Sequence, residues 1–500
     1  MSADPINNES ERRDAAVIDV GSNSVRLVLF RVEGRALWPV FNEKTMAGLG
    51  RGARETGRLD PEGVEVALRT LKRFAALLDA KGVEARQAVA TAAVRDCEDG
   101  PDFVARVREE TGLEIQVLSG EEEGRLSALG VLAGIGQADG LAGDLGGSSL
   151  EFARLSGRKA GEAITLPLGP LAVLSDAGDI KAFRPVVDEA LERAAPLLES
   201  SGPTFYAVGG AWRSFASLAM ALNDYPLHLL HQYTLSAAQI AKTADFAVSQ
   251  SDTSLASIPG VSSKRAGMLG YAALLLKRIV RRGDFKEVVF SANGLREGVV
   301  CARDMRLVSD GDPLVSGAEA LARNAAPEPA FGRVLGDWIE PVFDGEADGF
   351  GPGRDAVLRQ SAARLADMGA RMHPDHRADL SATQTLYAPF GGVTHRERAF
   401  LSLSVHHRYA GKKQRDESCP SRRLLNDDEE LAALTLGLAL RLGAAISGRS
   451  ARVLQSFALE RTKSELVLKV NPGAEALVVE RARQRFDQLA GALGLEPRVI

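Results

Sequence analysis

"VIDVGSNSVRLVLFRV", residues 17–32, runs as an apolar strand into Asp19, breaks at Gly21-Ser22-Asn23-Ser24, and resumes as a second apolar strand. A buried strand that ends on a carboxylate and turns through four small, donor-rich residues poses a chemical question. Turns of this kind aim several backbone N–H groups and hydroxyls into one concavity, which makes an anion site. Glycine lets the backbone come close to the ligand.

The same pattern returns further along. Asp-Leu-Gly-Gly-Ser-Ser-Leu-Glu (144–151) aligns with Asp-Val-Gly-Ser-Asn-Ser-Val-Arg (19–26) at an offset of 125, with Gly21 on Gly146 and Ser24 on Ser149. Each copy lies between two apolar strands, so a duplicated α/β domain is expected, its two lobes facing each other across a cleft. A carboxylate repels phosphate directly. It makes sense there if Mg²⁺ lies between them, because Mg²⁺ takes one or two carboxylates and completes its shell with phosphate and water. On that reading Asp19 and Asp144 position metal while the turns hold phosphoryl oxygens. The competing reading is two ordinary β-turns with Asp at a favoured position.

Outward from the pair, strands are expected at 16–19, 25–32, 87–91, 114–118, 141–145, 150–155, 204–208 and 287–291, alternating with helices. A helix over 61–80 is the best marked, with Asp60 as cap, Pro61 in the first position, and Val64, Leu68, Leu71, Ala75 and Leu78 on one face. Two more glycine turns follow apolar strands, "YAVGGAWRS" with Gly209-Gly210, and "VVFSANGLREG" with Gly294 before Arg296. Both can present a helix N-terminus to phosphate. In "VLSGEEEGRLSALG", Ser119 and Glu122 have capping-box spacing, and Glu121 suits the first turn. Glu123 is not needed by that account, and a carboxylate beside a phosphate cleft can orient and deprotonate water.

The bulk properties limit the alternatives. With 45% hydrophobic and 25% charged residues the 500-residue chain is an ordinary globular protein. Its net charge of −5 offers no general attraction to nucleic acid or membrane, so a polyanion must meet local basic groups. Cys97, Cys301 and Cys419 are too scattered for a disulfide framework or thiolate metal site, which fits a reducing cytoplasm. The N-terminal residues lack the apolar core of a signal peptide, and no membrane span is expected, the apolar run 431–446 being too short. The expected divisions are a disordered tail 1–14, lobes 15–137 and 138–311, a helical domain 312–448, and a small α+β domain 449–500 with strands at 453–459 and 465–469 and a helix at 474–494.

These residues together resemble the exopolyphosphatase/guanosine pentaphosphate phosphohydrolase family, in the superfamily of actin, sugar kinases and heat-shock chaperone ATPases. The matching motifs are "DVGSNS" 19–24, "TAAVR" 91–95, "SGEEEGR" 119–125, "DLGGSSLE" 144–151, "VGGAWR" 208–213 and "GLREG" 294–298, in family order across 15–310. The resemblance implies two actin-like (ribonuclease H-like) lobes and paired phosphate loops, Gly21, Ser22, Asn23 and Ser24 in one, Gly146, Gly147, Ser148 and Ser149 in the other. It further implies Mg²⁺ at Asp144 and Glu151, Glu123 as catalytic base with Glu122 its neighbour, Arg95 on phosphate, and Gly209 and Gly210 near the substrate. It suggests a homodimer. Ser148 stands where the family commonly has a third glycine, Leu150 where it has threonine, and Ala211 where threonine is frequent.

Longer members carry a helical domain of the His-Asp phosphohydrolase type. Here His373, His376, His395, His406 and His407 occur without any His-Asp dipeptide, so a degenerate, metal-free domain is expected. The segment 406–423 supplies a basic patch, Arg408, Lys412, Lys413, Arg415, Arg422 and Arg423, which suits the path of a phosphate chain. The function expected is Mg²⁺-dependent hydrolysis of the terminal phosphoanhydride of polyphosphate, with guanosine pentaphosphate as the alternative substrate. A sugar or carboxylate kinase and a non-catalytic alarmone or polyphosphate sensor are the rivals from other classes.

Overall fold

The computed structural model describes residues 12–174, 180–323, 325–346 and 349–500. The chain forms two compact units, one ending at Asp310 and the other beginning at Gly311.

The first unit holds two sheets built on one plan. β1 (Arg12–Val20), β2 (Val25–Glu33) and β3 (Ala36–Thr45) form an antiparallel meander, and β4 (Arg86–Ala90) and β5 (Ile115–Val117) extend it parallel to β1. In the second sheet β6 (Gly140–Leu145), β7 (Leu150–Ser156) and β8 (Lys159–Leu166) repeat the meander. There β9 (Thr204–Gly209) and β11 (Glu287–Phe290) extend it in parallel, and β10 (Tyr233–Ser236) closes the edge antiparallel to β11. This is the duplicated α/β arrangement expected from the repeat, with the actin-like lobes that the resemblance implies. Asp19 pairs with Arg26 and Asp144 with Glu151, each at the penultimate position before its turn.

Period-two alternation divides the strands between cores. Ile18, Val20, Leu27 and Leu29 pack with Leu68, Leu71 and Phe74 of the helix Pro61–Ala80, whose start is capped by Asp60 accepting from Gly63 N at 2.7 Å. Val17, Val28 and Phe30 face the other way. They meet Ala142, Ala153 and Val208 of the second sheet through two helices, Gly120–Ile135 and Leu295–Arg303. Leu141, Leu150 and Phe152 turn to a third core with Trp212 and Phe215. The two lobes therefore share a core, and the helices inside it lie unusually close. A Cβ on Gly130 would overlap the Gly294 carbonyl, and one on Gly298 would overlap that of Leu126.

Several sequence expectations are corrected. β1 starts at Arg12, so Arg12, Arg13 and Asp14 belong to the sheet and not to a tail, whose remaining residues 1–11 lie outside the described residues. β3, β8 and β10 were not expected. In the second unit helices fill Pro313 to Ile446, and β12 (Phe457–Arg461), β13 (Glu465–Val470) and β14 (Glu496–Val499) form a small sheet. The expected strand at 453 is instead the end of a short helix, Ala451–Leu454, and the last helix runs Glu480–Leu493. No helix among the described residues is long and apolar enough to cross a membrane.

Candidate active site

The two turns have the same internal geometry. Gly21 N donates to Ser24 O at 3.0 Å, and Gly146 N donates to Ser149 O at 3.0 Å. They also meet each other, the Ser148 hydroxyl donating to that of Ser22 at 3.0 Å. Position 148, where the resemblance leads one to expect glycine, thus supplies the link between the lobes' turns. Gly50 N donates to Ser22 O and Gly48 N to Asn23 O, which ties the first turn to its own lobe. Gly169 supports the second turn, because any Cβ there would strike the Gly147 carbonyl. Gly209 ends β9 opposite Leu145 at φ 117°, and a Cβ would lie 2.5 Å from Leu145 O. Only glycine suits that position. Gly210 abuts the Arg265 guanidinium.

The acidic helix sorts its glutamates by direction. Glu122 returns to the helix start, accepting from Ser119 N at 2.8 Å, while Ser119 Oγ accepts from Glu122 N at 3.2 Å. Those hydrogen bonds keep Glu122 exposed and hold its carboxyl below the usual range. It is a cap, and its expected place beside the chemistry is not observed. Glu123 turns inward and is 8% exposed. Arg95 reaches it with Nη1 at 3.4 Å from Oε2. Burial first, then the charges of Glu151 and Asp144, push the Glu123 carboxyl far above the ordinary range, against the pull of Arg95.

Glu151, 1% exposed, is raised too, by burial and by Asp144, with hydrogen bonds from Ser149 and Thr165 opposing. Thr165 Oγ1 donates to Glu151 Oε1 at 3.0 Å, and Glu151 Oε2 has no hydrogen-bond partner. Asp144 is raised by burial although Ser127 Oγ donates to its Oδ2 at 2.6 Å. Asp19 is held differently: Arg296 Nη1 donates to its Oδ2 at 2.9 Å.

This excess of buried carboxylate, with an orphaned oxygen, suits a hard divalent cation. Among the described residues no three His, Cys, Asp or Glu side chains converge as a metal cage. The chain would supply a pair, Asp144 and Glu151, and leave the rest of the shell to phosphate and water, which is how Mg²⁺ is usually held. Asp19 does not group with them as a metal cage among the described residues, and its Oδ2 accepts from Arg296.

Beyond the turns lies a basic group whose members come from several separate motifs and segments. Arg26, Lys44, Arg213, Arg265 and Arg296 are near enough to disturb one another. Burial and then Arg296 lower Arg26 to about 10, while burial and Arg265 lower Lys44 and Arg213. Arg296 alone is raised, Asp19 and Glu297 outweighing its burial. Clustered guanidinium groups beside an anion cradle suit a ligand of several phosphates, although Arg296 is already paired with Asp19. In the second unit, by contrast, most of the basic segment is spent internally. Arg408 pairs with buried Asp367, Arg415 with Asp379, and Arg422 with Glu430, leaving Lys412 and Lys413 exposed. His406 and His407 are buried, and each faces a backbone carbonyl, those of Lys413 and Gly411.

Comparison with known proteins agrees with this layout. The exopolyphosphatase 1 of Mycobacterium tuberculosis is 29% identical over 329 residues, covering 63% of this chain and 95% of its own. Exopolyphosphatase 2 of the same organism is 26% identical over 310 residues, covering 57% and 96%. The crystal structure of the Aquifex aeolicus Ppx/GppA family member superposes with a TM-score of 0.51 at 27% identity, over 59% of this chain and 98% of that one. An exopolyphosphatase from Cytophaga hutchinsonii shares the fold at TM-score 0.53 and 24% identity, over 58% and 97%. The C-terminal exopolyphosphatase model matches residues 314–500. With the Ppx/GppA phosphatase model matching residues 28–305, over half its length and including Arg95, Glu123, the second turn and Glu151, the chain belongs to the Ppx/GppA phosphatase family.

Proposed function

We propose that this phosphohydrolase is a Mg²⁺-dependent exopolyphosphatase, removing the terminal phosphate of inorganic polyphosphate by attack of water. The observation that carries the reading is the buried, incompletely neutralised group Glu123, Glu151 and Asp144 beside two matching phosphate turns. Mg²⁺ at Asp144 and Glu151 would neutralise those carboxylates and polarise the phosphoryl oxygens. The turn N–H groups and the Ser22, Ser24, Ser148 and Ser149 hydroxyls hold the terminal phosphate. Glu123 accepts the proton of the attacking water, and Arg95 keeps its Oε2 in place. Arg26, Arg213, Arg265 and Arg296 take the following phosphates.

Guanosine pentaphosphate, cut at its 5′ γ-phosphate, is the second reading, and the same basic group favours it because that ligand also carries clustered phosphates. The exopolyphosphatase names of the relatives tip the choice to polyphosphate. A homodimer in a reducing cytoplasm is the setting we propose, consistent with three free cysteines, two of them buried. The test is phosphate release from long polyphosphate and from guanosine pentaphosphate, with and without Mg²⁺, by wild type and Glu123→Gln. Release from neither substrate by wild type would defeat the proposal; release only from the nucleotide would select the second reading.

A further inference from the structure

Thr165 belongs to no motif of the sequence, yet it touches both sides of the reaction centre. It lies on β8 directly opposite Glu151 in the strand pairing. Its Oγ1 donates to Glu151 Oε1 at 3.0 Å, which leaves the unpartnered Oε2 as the free coordinating atom. Its methyl group lies against Gly120, the first residue of the helix that carries Glu123, and its Oγ1 is 3.0 Å from where a Gly120 Cβ would sit. A Cβ on Gly120 would overlap that Cγ2 and lie 2.5 Å from the Thr165 Cβ. One further contact fixes the same helix against the neighbouring strand β7. Gly124, the residue after Glu123, has room for a Cβ only 3.2 Å from Phe152 O and 3.4 Å from the Glu151 Cβ.

We infer that Thr165 is a positioning residue that sets the separation of the water-activating Glu123 from Glu151, through its hydroxyl bond to Glu151 and its methyl packing on Gly120. The inference deepens the proposed function and rests on it for the role of Glu151. A threonine suits both tasks because β-branching gives χ1 few choices, so hydroxyl and methyl directions are fixed together. Partners one shell removed from a metal ligand typically govern affinity by about 10- to 100-fold.

The two tasks separate by substitution. Thr165→Val keeps the methyl and removes the donor; Thr165→Ser keeps the donor and removes the methyl. Binding of Mn²⁺ to the substrate-free full chain, read by electron paramagnetic resonance, is expected to weaken about 10-fold or more in Thr165→Val and to stay within about threefold in Thr165→Ser. Gly120→Ala is expected to lower kcat by displacing the helix start. The double variant Gly120→Ala/Thr165→Ser is expected to recover part of it, because deleting Cγ2 relieves the closest overlap while the Cβ, 2.5 Å away, is kept.

Equal Mn²⁺ affinity in the Val and Ser variants would overturn the hydroxyl role, and a double variant no faster than Gly120→Ala would overturn the steric one. Circular-dichroism melts of each variant separate these outcomes from misfolding. If wild type binds no divalent cation, the metal part of the proposed function fails by itself. The kcat recovery in the double variant then decides for or against Thr165. If wild type also releases no phosphate, a crystal structure of Gly120→Ala decides, an unmoved helix start overturning the inference.

Discussion

At the scale of single residues, two neighbouring glutamates have opposite fates because a helix turns about 100° per residue. Glu122 closes a capping box, a task glutamine performs equally well, so Glu122→Gln is expected to keep turnover within a few-fold. Glu123→Gln removes the proton acceptor without changing shape and is expected to reduce phosphate release by about 10²–10⁴. Measured together under saturating polyphosphate, the pair checks the assignment, and loss of turnover in Glu122→Gln instead would reverse it. The environment of Glu123 also predicts a pH signature. A base must be deprotonated to act, and burial with Glu151 and Asp144 holds its proton on, so kcat/KM is expected to rise with pH. Added positive charge lowers that carboxyl, so the acid limb is expected to move to lower pH as Mg²⁺ increases, and to vanish in Glu123→Gln. Stability follows the opposite sense. A carboxyl whose folded pKa lies above its unfolded one contributes stability below the unfolded pKa and loses it as pH rises through the folded value. Metal-free wild type is therefore expected to lose Tm as pH rises from about 4.5 to about 9, and Glu123→Gln to lose less.

At the scale of elements, the site depends on how closely helices and strands approach. The Glu123 helix and the helix bearing Arg296 meet at Gly130, Gly294 and Gly298. Gly130→Ala is expected to force them apart and misplace Glu123 and Arg296 together, lowering kcat at least 10-fold and stability by about 1–3 kcal/mol, as overpacking does. Activity assays beside chemical denaturation check both parts. These contacts explain what was and was not legible in the sequence. The turns, Asp19, Asp144 and Glu123 were visible because a duplication printed the same signal twice and because a capping box left one glutamate unexplained. The basic group was not, since Arg26, Lys44, Arg213, Arg265 and Arg296 come from separate segments with no common spacing and only folding assembles them. The edge strand β3 escaped because Pro39 interrupts it, which an edge tolerates where a central strand would not. The polar β8, "KAGEAITL", hid Thr165 for a similar reason: with several exposed positions it lacks the apolar alternation that marks a buried strand.

At the scale of the whole molecule, every residue of the proposed site lies before Asp310, in a unit with its own cores. The mycobacterial relative matches 95% of its own length within 63% of this chain, so proteins without the second unit exist as complete folds. A chain ending at Asp310 is accordingly expected to fold cooperatively and to release phosphate from tripolyphosphate at a rate within about 10-fold of the full chain. A truncated protein that folds but is inactive would show that the site needs the second unit. One consequence of the duplication concerns direction. A linear phosphate chain is the same read from either end, and two identical half-sites would have no means of telling which end to shorten. Here the two copies differ in charge at one equivalent pair, arginine at position 26 and glutamate at position 151, each across the ladder from its aspartate. On the proposed function, that exchange of base for acid would let one half attract the incoming chain and the other hold the cation, giving polarity to an encounter whose ligand has none.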